Sequence, residues 1–178
     1  NFIDLNVVMA GCGFPTQPGP PPPFDQDTCY TQYVNIPKAE LDGVEIEGKY
    51  DAARWYAAIA YTHIDGKDKT TGDYLGVLQP DKIVLDGGLK IPEWWSRIGA
   101  RFTFADDFKK VNPDDQPRDG YNIVDLYAVI EPMEGPLKGL RLDLGIDNVT
   151  DEAYELIARD VYEEGRNYKA AISWTHKW

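Results

Sequence analysis

The stretch from Lys138 to Tyr154, KGLRLDLGIDNVTDEAY, alternates in polarity residue by residue: Leu140, Leu142, Leu144 and Ile146 interleave with Arg141, Asp143, Gly145 and Asp147. A period of two sustained this long predicts a β-strand with one apolar and one charged face. A soluble sheet would turn the charges to water and the leucines to a core. A transmembrane barrel would turn the leucines to lipid and the charges to a wet lumen. The final residues favour the barrel. Tyr168, Ala170, Ile172, Trp174, His176 and Trp178 alternate with Lys169, Ala171, Ser173, Thr175 and Lys177. The ends of soluble domains usually fray. A terminal strand ending on an aromatic is instead the ending expected for a bacterial outer-membrane barrel, with Trp174, His176 and Trp178 as its assembly signal.

The same alternation recurs upstream. Phe2 to Val8 predicts a first strand, Tyr30 to Tyr50 a long extended segment, and Trp55 to Ile64, Asp81 to Ile91, Arg97 to Phe104 and Tyr121 to Glu131 four more. Val44, Ile46, Gly48 and Tyr50 face one way, Glu45, Glu47 and Lys49 the other, with a bulge expected at Asp42-Gly43 where the phase blurs. With the two C-terminal strands the prediction is all-β, with eight strands. Their connections alternate long (about 10–28, 65–80, 105–120 and 153–166) and short (near 51–54, 92–95 and 132–137). Short turns at one end and long loops at the other are the periplasmic and extracellular ends of such a barrel. Trp55, Trp94, Trp95, Trp174 and Trp178 fall near the short-turn end, where an aromatic girdle belongs.

Composition narrows the reading. Asp plus Glu number 30 against 18 Lys plus Arg, a net charge of -12, which argues against nucleic acid as a partner. No stretch of about 18 apolar residues occurs, so a transmembrane helix is excluded. Asn1 opens directly into the strand-like FIDLNVV, so residues 1–178 read as the C-terminal part of one barrel domain in a longer protein. Cys12 and Cys29 bracket a loop with GPPPP at its centre and read as a disulfide formed in an oxidising compartment. The alternative is two unpaired thiols; no His or further Cys lies near them to suggest a metal site.

The motifs GVEIEGKY (43–50), YNIVDLYAVIEP (121–132), LRLDLGIDNVTDEAY (140–154) and GRNYKAAISWTHKW (165–178) resemble the C-terminal barrel of TonB-dependent outer-membrane receptors. The D-N-x-x-D-x-x-Y spacing after an alternating strand is the most specific of them. The resemblance covers essentially the whole chain, and residues 35–93 look most like the haem and haemoglobin receptors. It implies a transmembrane antiparallel β-barrel of about 22 strands, of which these eight are the last, passing the bacterial outer membrane many times. It also implies a plug, the earlier strands and a TonB-contacting segment upstream. The ligand implied is haem, taken up by the intact receptor or handed over by an extracellular haem-carrying protein, with no cofactor held by this segment. A siderophore or other nutrient receptor of the same architecture is the rival in transport, and a soluble β-sandwich binding module the rival from another class. Trp178 stands where such receptors more often end in Phe.

Among individual residues, Glu45, Glu47, Lys49, Lys82, Asp86, Lys90, Arg97, Arg101, Asp125, Arg141, Asp143 and Asp147 fall on the inward parity. They read as a cross-strand salt-bridge lattice in a wet lumen, mixed with a docking wall for the plug. Haem is often held by imidazole, but His63 shares a face with Trp55, Ala57, Ile59 and Tyr61 and so points outward near the upper rim, where an interfacial role fits better than ligation. His176 has the same outward parity. Tyr74 and Met133 have iron-ligating chemistry but sit in a loop and a turn. Asp106-Asp107 and Asp114-Asp115 lack a paired base, and with no nucleophile triad, phosphate loop or metal-spaced cluster, an enzyme is not expected.

Overall fold

The computed structural model describes residues 3–4, 34–35, 38–75, 78–113, 116–156 and 161–175. Strands β1 (Ile3–Asp4) and β2 (Val34–Asn35) pair antiparallel with each other in a two-stranded ladder. Strands β3 (Ala39–Asp51), β4 (Trp55–Asp68), β5 (Lys82–Ile91), β6 (Ser96–Ala105), β7 (Tyr121–Ile130), β8 (Leu140–Asp147) and β9 (Asn167–Trp174) form one seven-stranded antiparallel sheet in chain order. Each strand pairs with its sequence neighbour, which is what short reversals between alternating segments dictate. No α-helix occurs among the described residues.

Three details depart from the sequence reading. The first expected strand is not the edge of the main sheet: its described residues, Ile3–Asp4, pair with Val34–Asn35, and β3 is the edge instead. The long segment from Tyr30 is divided into β2 and β3. No bulge interrupts Asp42-Gly43, because β3 and β4 pair without a break from Ala39↔Asp68 to Asp51↔Tyr56. Gly43 serves close backbone approach there: a Cβ would lie 2.7 Å from the His63 carbonyl oxygen. That same ladder carries β4 through Asp68, past the apolar alternation that ends near Ile64.

The short connections are closed by backbone hydrogen bonds. Ala52 N–H donates to Trp55 O at 2.9 Å. A 3₁₀ turn at Pro92–Trp94 ends on Trp95 with φ 47°, whose N–H reaches Pro92 O at 3.1 Å. The turn before β8 needs Gly139 (φ 87°), where a Cβ would sit 2.2 Å from Thr175 O.

Among the described residues, apolar side chains are not gathered in a central core. Ile46 is 58% exposed, Leu89 56% and Ile172 72%, all on one face of the sheet. A soluble protein does not leave so wide an apolar face in water. Buried residues cluster instead at the long-loop end, where Ala105, Tyr121 and Ile123 pack with Tyr154 and Leu156. The outer edges of β3 and β9 pair with no described strand, and unpaired edges in hydrocarbon cost several kcal/mol for each backbone group.

Candidate functional site: the hollow face and its rim

Antiparallel pairing in register stacks alternate residues into rows across the sheet. One row runs Ala58, Asp86, Arg101, Asp125. The next runs Tyr56, Gly88, Gly99, Tyr127, Gly145, Lys169. A third runs Lys90, Arg97, Val129, Asp143. Residues of this polar face from β3 to β9 line one open hollow of about 1320 Å³. Of the charges read as inward, Glu47, Lys49, Lys82, Asp86, Lys90, Arg97, Arg101, Asp125 and Asp147 line it. Glu45, Arg141 and Asp143 share their face by register.

These charges are only partly matched. Arg101 Nε donates to Asp86 Oδ2 at 3.1 Å. Arg141 grips Asp143 through two hydrogen bonds, 2.8 and 2.7 Å, and reaches Glu131 at 3.2 Å. Lys90 pairs with Asp51 and Lys169 with Asp147. The side chains of Glu45, Glu47, Lys49 and Arg97 make no direct ion pair or hydrogen bond with another described residue. Exposed pairs contribute about 0–1 kcal/mol each, so this lattice orients side chains more than it stabilises the sheet.

The middle row holds a feature that sequence reasoning missed. Tyr56 on β4 and Tyr127 on β7 reach across two intervening strands until their hydroxyl oxygens are 2.6 Å apart. They cross above Gly88 and Gly99; a Cβ at Gly99 would fall 2.4 Å from Tyr56 Oη and 2.5 Å from Tyr127 Cζ. Tyr127 Oη donates to Asp86 Oδ1 at 2.8 Å. A carboxylate only accepts, so Tyr56 is the donor to Tyr127, and a directed chain runs Tyr56, Tyr127, Asp86, closed by Arg101. The sequence signal was two glycines at inward positions of consecutive strands.

At the long-loop end, the D-N-x-x-D-x-x-Y motif proves to be a knot tied around Asn148, which is only 3% exposed. Its side chain donates to Glu152 O (2.8 Å) and accepts from Glu152 N–H (2.9 Å), while its own N–H reaches Asp125 Oδ1 at 2.9 Å. Asp151 accepts from Arg166 N–H at 2.8 Å, so both ends of the last loop are held together. Tyr154 then stacks on Tyr121 with centroids 4.5 Å apart, and burial pushes its hydroxyl pKa up. The two middle loops are clasped as well. Asn112 and Tyr74 exchange side-chain to backbone bonds of 2.8 and 3.1 Å, and Arg118, beneath Phe108, donates to Leu78 O at 2.8 Å.

The remaining candidates are placed apart from the hollow. His63 binds Asp81 through Nδ1 at 2.7 Å, with Asp65 3.8 Å from Nε2, on the outward face of the rim. Lys67 lies 4.7 Å over the Tyr74 ring, and Met133 is exposed in a short turn. Asp107 accepts from Gly120 N–H at 2.8 Å and pairs with Lys109, which holds its carboxyl below the ordinary range. No group of three or more His, Cys, Asp or Glu able to hold a metal occurs among the described residues. Cys12, Cys29, Asp114, Asp115, His176 and Trp178 lie outside them, while Trp174 ends β9 on the exposed apolar face.

Residues 1–149 match the family model described as TonB dependent receptor-like, beta-barrel. The chain is 30% identical over 140 residues to the heme/hemopexin utilization protein C of Haemophilus influenzae, covering 78% of this chain and 19% of that protein. It is 26% identical over 146 residues to the hemin receptor of Yersinia enterocolitica, covering 82% and 21%. The chain thus spans about a fifth of the length of the curated relatives it matches. Among solved structures, the copper transporter OprC superposes with a TM-score of 0.69 at 15% identity, over 82% of this chain and 25% of that one. The FrpB iron transporter from Neisseria meningitidis does so at 0.63 and 15%, over 75% and 23%. At that identity the likeness speaks for the fold alone.

Proposed function

The chain belongs to the TonB-dependent receptor β-barrel family, a family of outer-membrane proteins, and on that premise we propose that it is the C-terminal wall of a receptor that imports haem. One observation carries the structural half: seven consecutive strands keep an exposed apolar face on one side and a charged hollow on the other. That division suits a wall between lipid and a wet lumen. It does not suit a β-sandwich, whose concealed face must be apolar. The ligand half is supported by the haem and hemin relatives.

In this reading the outer edges of β3 and β9 join strands from the rest of the protein, and Glu45, Glu47 and Lys49, left unmatched on the hollow face, meet its plug. The clasped loops at the rim capture haem, or a protein that carries it, and TonB drives its passage. The segment contributes walls, loops and the terminal assembly strand, and no bond-breaking chemistry. Its Cys12–Cys29 disulfide would constrain the first of the loops.

The test is titration of haemin into the intact purified receptor, followed by the haem absorption band. Saturable binding with a shifted band is expected. Absence of any shift, together with binding of a ferric siderophore, would move the assignment to the rival ligand class.

A further inference from the structure

The bridge between Tyr56 and Tyr127 leaves a smooth patch on the hollow face. Only hydrogens project from Gly88 and Gly99, so the phenols lie across the backbone instead of standing off it. Both hydroxyl protons are spent along the wall, from Tyr56 to Tyr127 and from Tyr127 to Asp86, which leaves the patch without a hydroxyl donor aimed at the open space. Arg97 and Arg101 flank Gly99 two residues away on either side, roughly 13 Å apart along β6. Arg101 is committed to Asp86 at 3.1 Å, whereas the Arg97 guanidinium makes no direct ion pair among the described residues. The open hollow lies in front of the patch, and both tyrosines and both arginines line it.

These features select a ligand class. Aromatic surface two phenols wide, flanked by charged residues of the same wall, suits a planar apolar ring, and a guanidinium with no direct ion pair among the described residues suits a carboxylate at its margin. We propose that Tyr56, Tyr127 and Arg97 form a transit subsite on the barrel wall for a porphyrin carboxylate, separate from capture at the loops. The subsite recognises the ring and its carboxylate and leaves the iron untouched, because both tyrosine hydroxyls are engaged along the wall. The proposal rests on the haem reading above and adds where, along the wall, the ring rests.

The test uses the full-length receptor in cells, with haemin as the probe, and reads haemin affinity and maximal uptake rate separately. Arg97→Gln and Tyr127→Leu should each lower the maximal rate roughly tenfold, the scale of one lost charge-assisted or aromatic contact, with haemin affinity within about twofold of the parent. Arg97→Lys keeps the charge and should recover most of the rate. Heat-modifiable gel mobility reports whether Tyr127→Leu still folds, and Arg97→Gln, which removes no hydrogen bond or direct ion pair among the described residues, carries the test if it does not. Uptake at the parent rate by both variants overturns the subsite and leaves the haem reading standing. A parent receptor that neither binds nor imports haemin overturns both.

Discussion

The hydroxyls of Tyr56 and Tyr127 meet at 2.6 Å although the residues lie 71 positions apart and two strands separate them. Three inter-strand spacings make about 14 Å, which two tyrosines span only by lying along the row, and they lie along it only if the residues beneath lack side chains. Gly88 and Gly99 are those residues. Four strands are thereby stitched by one contact that no hairpin supplies.

Gly99→Ala should therefore destabilise the intact barrel by about 1–3 kcal/mol, the usual cost of forcing side chains out of a packed position. Gly145→Ala is the control, since it lies in the same row with its nearest heavy atom 3.8 Å from the added Cβ, and it should change stability by no more than about 0.5 kcal/mol. Urea unfolding in lipid vesicles measures both. Equal effects would mean that the tyrosines do not rest on Gly99.

Asn148 makes a second separable prediction. Its φ of 49° is one that Asn and Gly tolerate, so Asn148→Gly keeps the backbone and removes only the side-chain bonds to Glu152, Glu164 and Thr150. Losing buried hydrogen bonds costs about 1–3 kcal/mol when a partner is left unsatisfied. The last loop should become sensitive to limited proteolysis between residues 149 and 166 while the barrel stays folded. Unchanged protease resistance would show that the loop is held by other contacts.

Much of the sheet was legible because alternation is written residue by residue: β4 to β9 begin within a residue or two of where the pattern places them. Cross-strand relationships were not. Nothing adjacent to Tyr56 announces Tyr127, because register depends on the length of every intervening turn. The end of β4 was hidden for another reason. Asp65, Gly66, Lys67 and Asp68 carry no apolar alternation, yet they are held as strand by pairing with residues 39–42. The D-N-x-x-D-x-x-Y spacing was visible, but its role as a loop knot needed Asp125 and Arg166, which are remote in sequence.

Asp107 supplies a pH dependence. Lys109 and the Gly120 N–H hold its carboxyl below the ordinary aspartate value. A lowered folded value means that the contribution is present above the ordinary carboxylate pKa and is lost as pH falls through the lower folded one. The Gly120 amide resonance of the micelle-bound barrel should titrate with a midpoint below that of an unperturbed aspartate. A midpoint at or above that value would contradict the Asp107–Lys109–Gly120 arrangement.

Neighbours on β5 separate the two faces energetically. Leu85 lies on the exposed apolar face and Val84 lines the hollow. Leu85→Arg should cost roughly 2–4 kcal/mol in lipid, the price of an arginine near the bilayer midplane, and Val84→Arg much less. Unfolding of the two variants in the same vesicles compares them directly, and equal losses would remove the distinction between the faces.

The assignment of lipid to one face and lumen to the other is tested most directly by spin labels placed one at a time along β5, from Lys82 to Ile91, in the intact receptor in bilayers. Collision rates with dissolved oxygen, which concentrates in the hydrocarbon, should alternate with a period of two and peak at Ile83, Leu85 and Leu89. Labels at Val84, Asp86 and Lys90 should show low oxygen collision. A flat profile along β5, or one whose peaks fall on Val84, Asp86 and Lys90, would contradict the account.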